Sequence, residues 1–103
     1  MPQFRIYQNK NPQTKKPIPY LLDVQTDLLD DLQTCVVVPL TVADKNKAIS
    51  RLTPILNVNG TDYLMLTPQL AGIMRKELGK PVTTISDSRN EIIGAIDFLV
   101  TGF

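Results

Sequence analysis

Asp23, Asp27, Asp30 and Asp31 crowd one short stretch that contains no basic residue. Oxygen donors at this density suit a hard divalent cation such as magnesium or calcium. The spacing fits no calcium loop, however, and no glycine supplies the sharp turn that such a loop needs. The stretch reads as a solvated acidic loop, with a cation site as the alternative. Ser86, Ser88 and Arg89 have the residue types of a nucleophile beside an oxyanion stabiliser. No base accompanies them, because the chain has no histidine at all. That absence removes the usual activator of serine and the usual metal ligand together. The serines are explained instead as helix caps. Cys35 is the only cysteine, so it can neither pair internally nor gather zinc. Its apolar neighbours predict burial, a raised pKa and an inert thiol. The five glycines are scattered and make no phosphate-cradling loop. The expectation is a binding module with no catalytic residue, metal or cofactor.

Charge sharpens this reading. Lysine plus arginine is 11 and aspartate plus glutamate is 10, for a formal net charge of +1. Such a balance generates little long-range attraction for phosphate backbones or anionic membranes. Met1 to Pro19 does carry Arg5, Lys10, Lys15 and Lys16 without an acid. Four cations without interleaved aromatics are a weak nucleic-acid footprint, and solubility explains them equally. The hydrophobic share of 43% and charged share of 20% are those of a globular chain. At 103 residues, a single domain over 1–103 is expected. No window approaches the run of roughly 18 apolar residues that would span a membrane. The first ten residues do not read as a leader, and the unpaired cysteine suits a reducing cytoplasm.

Several short elements must position these groups. Phe4 to Tyr7 alternates as a half-buried strand does, with Phe4 and Ile6 on one side. Gln8 to Pro19 holds three prolines and three lysines and reads as an exposed loop. Tyr20 to Gln25 resumes the alternation. Cys35 to Val38 is a β-branched run that suggests a strand buried on both faces, with Pro39 as its stop. Ile55 to Val58 and Tyr63 to Leu66 flank Asn59-Gly60, the strongest local hairpin signal. Thr67-Pro68 resembles an N-cap followed by proline at the first position of a short turn. Ile73 to Leu78 is ambiguous between helix and strand, and its bounding glycines favour strand. Val82 to Ile85 reads as another strand.

The period then changes. Ser88 and Glu91 have capping-box spacing, and a helix is predicted from about Ser88 to Val100. Ile92, Ile93, Ile96, Leu99, Val100 and Phe103 fall on one face at helical spacing and read as its core stripe. Phe98 lies off that stripe, either as a partly covered flank or as a contact residue. The fold class expected is mainly β, of the α+β kind: antiparallel strands, then one terminal helix laid on them.

Asp23-Val24-Gln25-Thr26-Asp27-Leu28-Leu29-Asp30 resembles the signature segment of the CcdB family, the toxin half of a toxin–antitoxin pair. Gln3 to Tyr7 resembles that family's opening strand, and Val37-Val38-Pro39-Leu40 its central one. Pro54 to Leu66 resembles its next hairpin, and Arg89 to Phe103 its terminal helix. The resemblance therefore covers nearly the whole chain in order.

What it implies is an SH3-like barrel of antiparallel strands with a C-terminal helix, the CcdB/MazF-type toxin fold, assembled as a homodimer. It implies a non-enzymatic plasmid-maintenance toxin that binds the A subunit of DNA gyrase and traps the cleaved-DNA complex. It further implies a cognate CcdA-like antitoxin whose disordered arm folds on binding. Operator DNA would be met only through the toxin–antitoxin repressor complex. By the same resemblance, the gyrase-binding residues are Leu28, Leu29, Asp97, Val100, Thr101, Gly102 and Phe103. Thr101 stands where well-known members carry tryptophan, so weaker gyrase binding is expected here. Two other readings are an mRNA interferase of the related MazF/Kid type, and a non-toxic homologue that only binds antitoxin. Near-neutral charge and few arginines weigh against the first, while Thr101 is the main support for the second.

Overall fold

The computed structural model describes residues 3–102. Seven strands precede one helix: β1 (Arg5–Asn9), β2 (Tyr20–Asp23), β3 (Thr34–Val42), β4 (Ile55–Val58), β5 (Thr61–Met65), β6 (Ala71–Met74), β7 (Leu78–Thr84) and α1 (Arg89–Thr101). All pairings are antiparallel, and the sheet runs in the order β4-β5-β3-β2-β1-β7. β6 joins off this path, pairing with the first half of β3 while β5 pairs with the second half. The result is the expected α+β, mostly β fold, a curled half-barrel of antiparallel strands with a C-terminal helix. Among the described residues, no helix is long and apolar enough to cross a membrane.

The core gathers Phe4, Ile6, Leu22, Val38, Leu40, Leu56, Val58, Met65 and Ile85 from the sheet side, with Ile92 and Ala95 from α1. Asn59 and Gly60 both have positive φ, at 52° and 92°, as a two-residue hairpin turn requires. Asn57 locks that turn, accepting from the Gly60 amide at 3.0 Å and donating to Asp62 at 3.0 Å. Cys35, Val37 and Val38 are buried, as the β-branched run predicts.

Four local expectations need correction. Pro39 does not stop its strand, because β3 continues to Val42. The Pro39 carbonyl accepts from Leu66 at 2.9 Å, so its nitrogen faces the same side, at the seam where partner strands change from β6 to β5. A missing donor there costs no ladder bond. Thr67 caps nothing: Leu66 takes the cap position, and the Thr67 hydroxyl is buried without a hydrogen-bond partner. The segment after Ile73 is neither one strand nor one helix. β6 ends at Met74, a 3₁₀ turn covers Arg75–Glu77, and β7 starts as early as Leu78.

The fourth correction concerns α1. Its start lies where predicted, behind a 3₁₀ turn over Ser86–Ser88, yet Ser88 makes no side-chain capping bond. Its predicted core stripe holds only in the first half. Ile92 is fully buried and Ile93 and Ile96 are half-buried, but Leu99 is 40% and Val100 75% exposed. The core beneath ends before the helix does.

Candidate functional site

Two features carry the predicted site residues, and each is built differently. Between β2 and β3 the chain makes a 3₁₀ turn over Asp27–Leu29. Thr26 caps it, its hydroxyl accepting from the Leu28 amide at 3.3 Å. Backbone bonds from Leu29 to Thr26, Asp30 to Asp27 and Leu32 to Leu29, all 3.1 Å, continue the winding. Leu28 sits on this turn at 90% exposure, with Leu29 and Leu32 also exposed. A leucine so exposed has no packing of its own, so the turn's backbone alone decides where it points.

Two polar side chains clamp that backbone. Gln25 donates to the carbonyls of Leu29 at 3.3 Å and Thr34 at 3.2 Å, and its own oxygen accepts from Val36 at 3.2 Å. From β6's end, Arg75 Nε donates to the Leu32 carbonyl at 2.7 Å, and Nη2 reaches the Leu29 carbonyl at 3.4 Å. The same Nη2 stands 3.7 Å from an Asp30 carboxylate oxygen. The acidic stretch thus finds its cation far along the chain. Asp23 is buried and accepts from the Gln25 amide at 2.9 Å, a structural use of its charge. Among the described residues, no group of three or more His, Cys, Asp or Glu is placed to hold a metal ion. Beneath the turn, burial pushes the Cys35 thiol up to about 12, and the neighbouring Asp23 carboxylate adds to the shift.

The second feature is the outer half of α1. Asp97, Val100 and Thr101 are exposed there. The Thr101 hydroxyl is turned back onto the helix, donating to the Asp97 carbonyl at 2.7 Å. Only its methyl group is left for apolar contact. Gly102 ends the helix in the left-handed region, φ 79°, and its amide bonds the Phe98 carbonyl at 3.0 Å. A residue with a Cβ would be strained there. Phe98 is half-buried as a flank, with the Arg51 guanidinium 5.3 Å from its ring centroid. Phe103 lies outside the described residues.

The structure therefore groups Leu28 with Leu29 on one turn, and Asp97, Val100, Thr101 and Gly102 on one helix end. Sequence reasoning missed Arg75 and gave Gln25 no task. Gln25 lay in sight inside the signature segment, but Arg75 carried no local signal. Elsewhere a cleft of 590 Å³ lies between the loop after β1 and the Ile73–Glu77 segment. Its wall includes Ile18, Leu21, Pro39 and Ile73. At its rim Lys10 Nζ donates to the Lys76 carbonyl at 2.6 Å, which gives one cation of the basic arm a structural use.

A family model described as CcdB protein matches residues 3–102. In fold, the chain is similar to an endoribonuclease in complex with its cognate antitoxin from a mycobacterial species, with a TM-score of 0.76. That match covers 97% of this chain and 95% of the other at 16% sequence identity. At such identity the likeness is one of fold.

Proposed function

This chain belongs to the CcdB family of toxins, and from that premise we propose that it binds the A subunit of DNA gyrase without catalysis of its own. Binding would trap the cleaved-DNA complex and so turn gyrase into a source of double-strand breaks. The acting form in this reading is a cytoplasmic homodimer that needs no cofactor. A CcdA-like antitoxin neutralises it, and the pair represses its own operon, reaching operator DNA through that complex only. Leu28, Leu29, Asp97, Val100, Thr101, Gly102 and Phe103 form the gyrase-binding set.

The observation that carries the reading is the display of the signature leucines. Leu28 is 90% exposed on a turn whose backbone is already clamped by Gln25 and Arg75. An apolar group left in water weakens no core, and a turn ordered in advance lowers the entropy lost on association. Two-fold symmetry would give a partner two copies of each patch.

Gyrase-dependent DNA cleavage tests this with three proteins: the wild type, Thr101→Trp and a chain truncated after Thr101. An aromatic anchor at an interface centre is commonly worth about 2 kcal/mol, so Thr101→Trp should trap gyrase roughly thirtyfold more tightly. The truncated chain should fold and fail to trap. Trapping by the truncated chain at the wild-type level would remove Gly102 and Phe103 from the site. If none of the three traps gyrase, the reading as an antitoxin-binding homologue replaces this one. RNA cleavage by the purified chain in the presence of a chelator would replace it with the interferase reading.

A further inference from the structure

We propose that Arg75 is a positioning residue, whose guanidinium holds the turn in the one conformation that aims Leu28 at a partner. For the identity of that partner the proposal rests on the gyrase reading; for the rest it rests on the turn itself. A 3₁₀ turn this short leaves carbonyls at its C-terminal end without internal donors. Arg75 donates through Nε to the Leu32 carbonyl just past the turn, and Nη2 of the same rigid plane adds a longer bond to the Leu29 carbonyl, which already accepts from the Leu32 amide and Gln25. Because the fork is planar, the separation of those two carbonyls is fixed by the side chain that bridges them. The Asp30 carboxylate, 3.7 Å from Nη2, adds a charge partner on the same stretch.

The lever is also short at its other end. The Arg75 amide donates to the Gln33 carbonyl at 2.8 Å, and the preceding Met74 is paired with Thr34. The arginine is therefore anchored on the same end of β3 from which the turn departs. Movement of the turn relative to β3 would have to break the guanidinium bonds first. Gln25 clamps the same Leu29 carbonyl from within the turn's own segment, so Arg75 is the clamp that comes from elsewhere in the chain. Arg75 is only partly exposed, with its side chain at 26%, while Leu28 is almost bare. One residue holds and the other is presented.

Arg75→Met removes the fork and keeps an unbranched apolar stem, and Arg75→Lys keeps the charge without the planar fork. Each is to be measured for binding to the same gyrase polypeptide, singly and combined with Leu28→Ala. Acting through Leu28, Arg75→Met should weaken binding about tenfold when Leu28 is present, and less than about twofold in the Leu28→Ala background. Arg75→Lys should recover only part of the loss. Equal losses in both backgrounds, or none in either, would overturn the proposal. Hydrogen exchange on the free protein supplies the second arm. The amides of Leu28, Leu29 and Asp30 should exchange about tenfold faster in Arg75→Met, while that of Ala95 in α1 keeps its rate. Unchanged turn amides, or faster exchange everywhere, would overturn it as well. Should the wild type not bind gyrase, the gyrase reading falls and the exchange measurement alone decides the role of Arg75.

Discussion

Leu28 and Val100 are 90% and 75% exposed, further into water than any other large apolar side chain among the described residues. Their supports differ in kind. Leu28 rides on a 3₁₀ turn that could not hold its shape alone, and Gln25 and Arg75 hold it through backbone carbonyls. Val100 rides on an α-helix that is rigid by its own hydrogen bonds and is anchored a turn or two earlier by Ile92 and Ala95. One patch depends on polar clamps and the other on a buried apolar foot. Mutations should therefore loosen the two patches independently, and by different chemistry.

The largest effect should come from cutting the helix's foot. Ile92→Ala empties a fully buried site and should cost about 2–5 kcal/mol, whereas Val100→Ala should stay within about 0.5 kcal/mol. Urea denaturation of both variants checks this, and equal costs would erase the distinction between the halves of α1. Next in size is the turn's inner clamp. Gln25→Ala takes the side-chain acceptor from the part-buried Val36 amide and one donor each from the Leu29 and Thr34 carbonyls, at a cost of about 1–3 kcal/mol. Hydrogen exchange should place that loosening in residues 26–36 and leave α1 protected.

A smaller effect, of opposite sign, belongs to the helix's seat. The 3₁₀ turn containing Thr67 packs against α1, and its buried hydroxyl has no hydrogen-bond partner. Thr67→Val swaps that hydroxyl for a methyl group and should stabilise the fold by about 1 kcal/mol, read as a higher midpoint in thermal melts. The turn should not respond. A last effect, felt only above about pH 9, is one of pH, on the turn's side of the molecule. Cys35 is held protonated up to about 12, against an ordinary value of 9.0. The unfolded thiol gives up its proton first, so stability present below pH 9 is lost as pH rises from 9 toward 12. The urea midpoint should fall over that range, and Cys35→Val should flatten the fall. A slope unchanged by Cys35→Val would assign it to other groups.

How much of this could be read from sequence follows from how local each cause is. The hairpin at Asn59-Gly60 was legible because the need for positive φ is written in two adjacent residues. So was the terminal helix, since its period of 3.6 spans more than three turns. The limit of its buried face was not legible. Periodicity states which side of a helix is apolar, but not where the buried core beneath it ends, and that decides that Leu99 and Val100 are exposed. Pro39 misleads for a similar reason: the missing donor is a local fact, whereas the seam between β6 and β5 is a tertiary one. At the site, Leu28 and Leu29 came from a resemblance, and their exposure agrees with display. Arg75 was invisible, because its carbonyl partners lie 43 and 46 residues away and a lone arginine between β6 and β7 resembles a solubilising charge.

Whether both patches meet one target can be decided by calorimetric titration of the A subunit of DNA gyrase. The three ligands would be the wild type, Leu28→Ala and the chain truncated after Thr101. The expected outcome is measurable binding by the wild type and weakening of about tenfold or more for each variant, with urea midpoints unchanged. Wild-type affinity in either variant would be the contrary outcome, because Leu28 or the last two residues would then play no part in the contact.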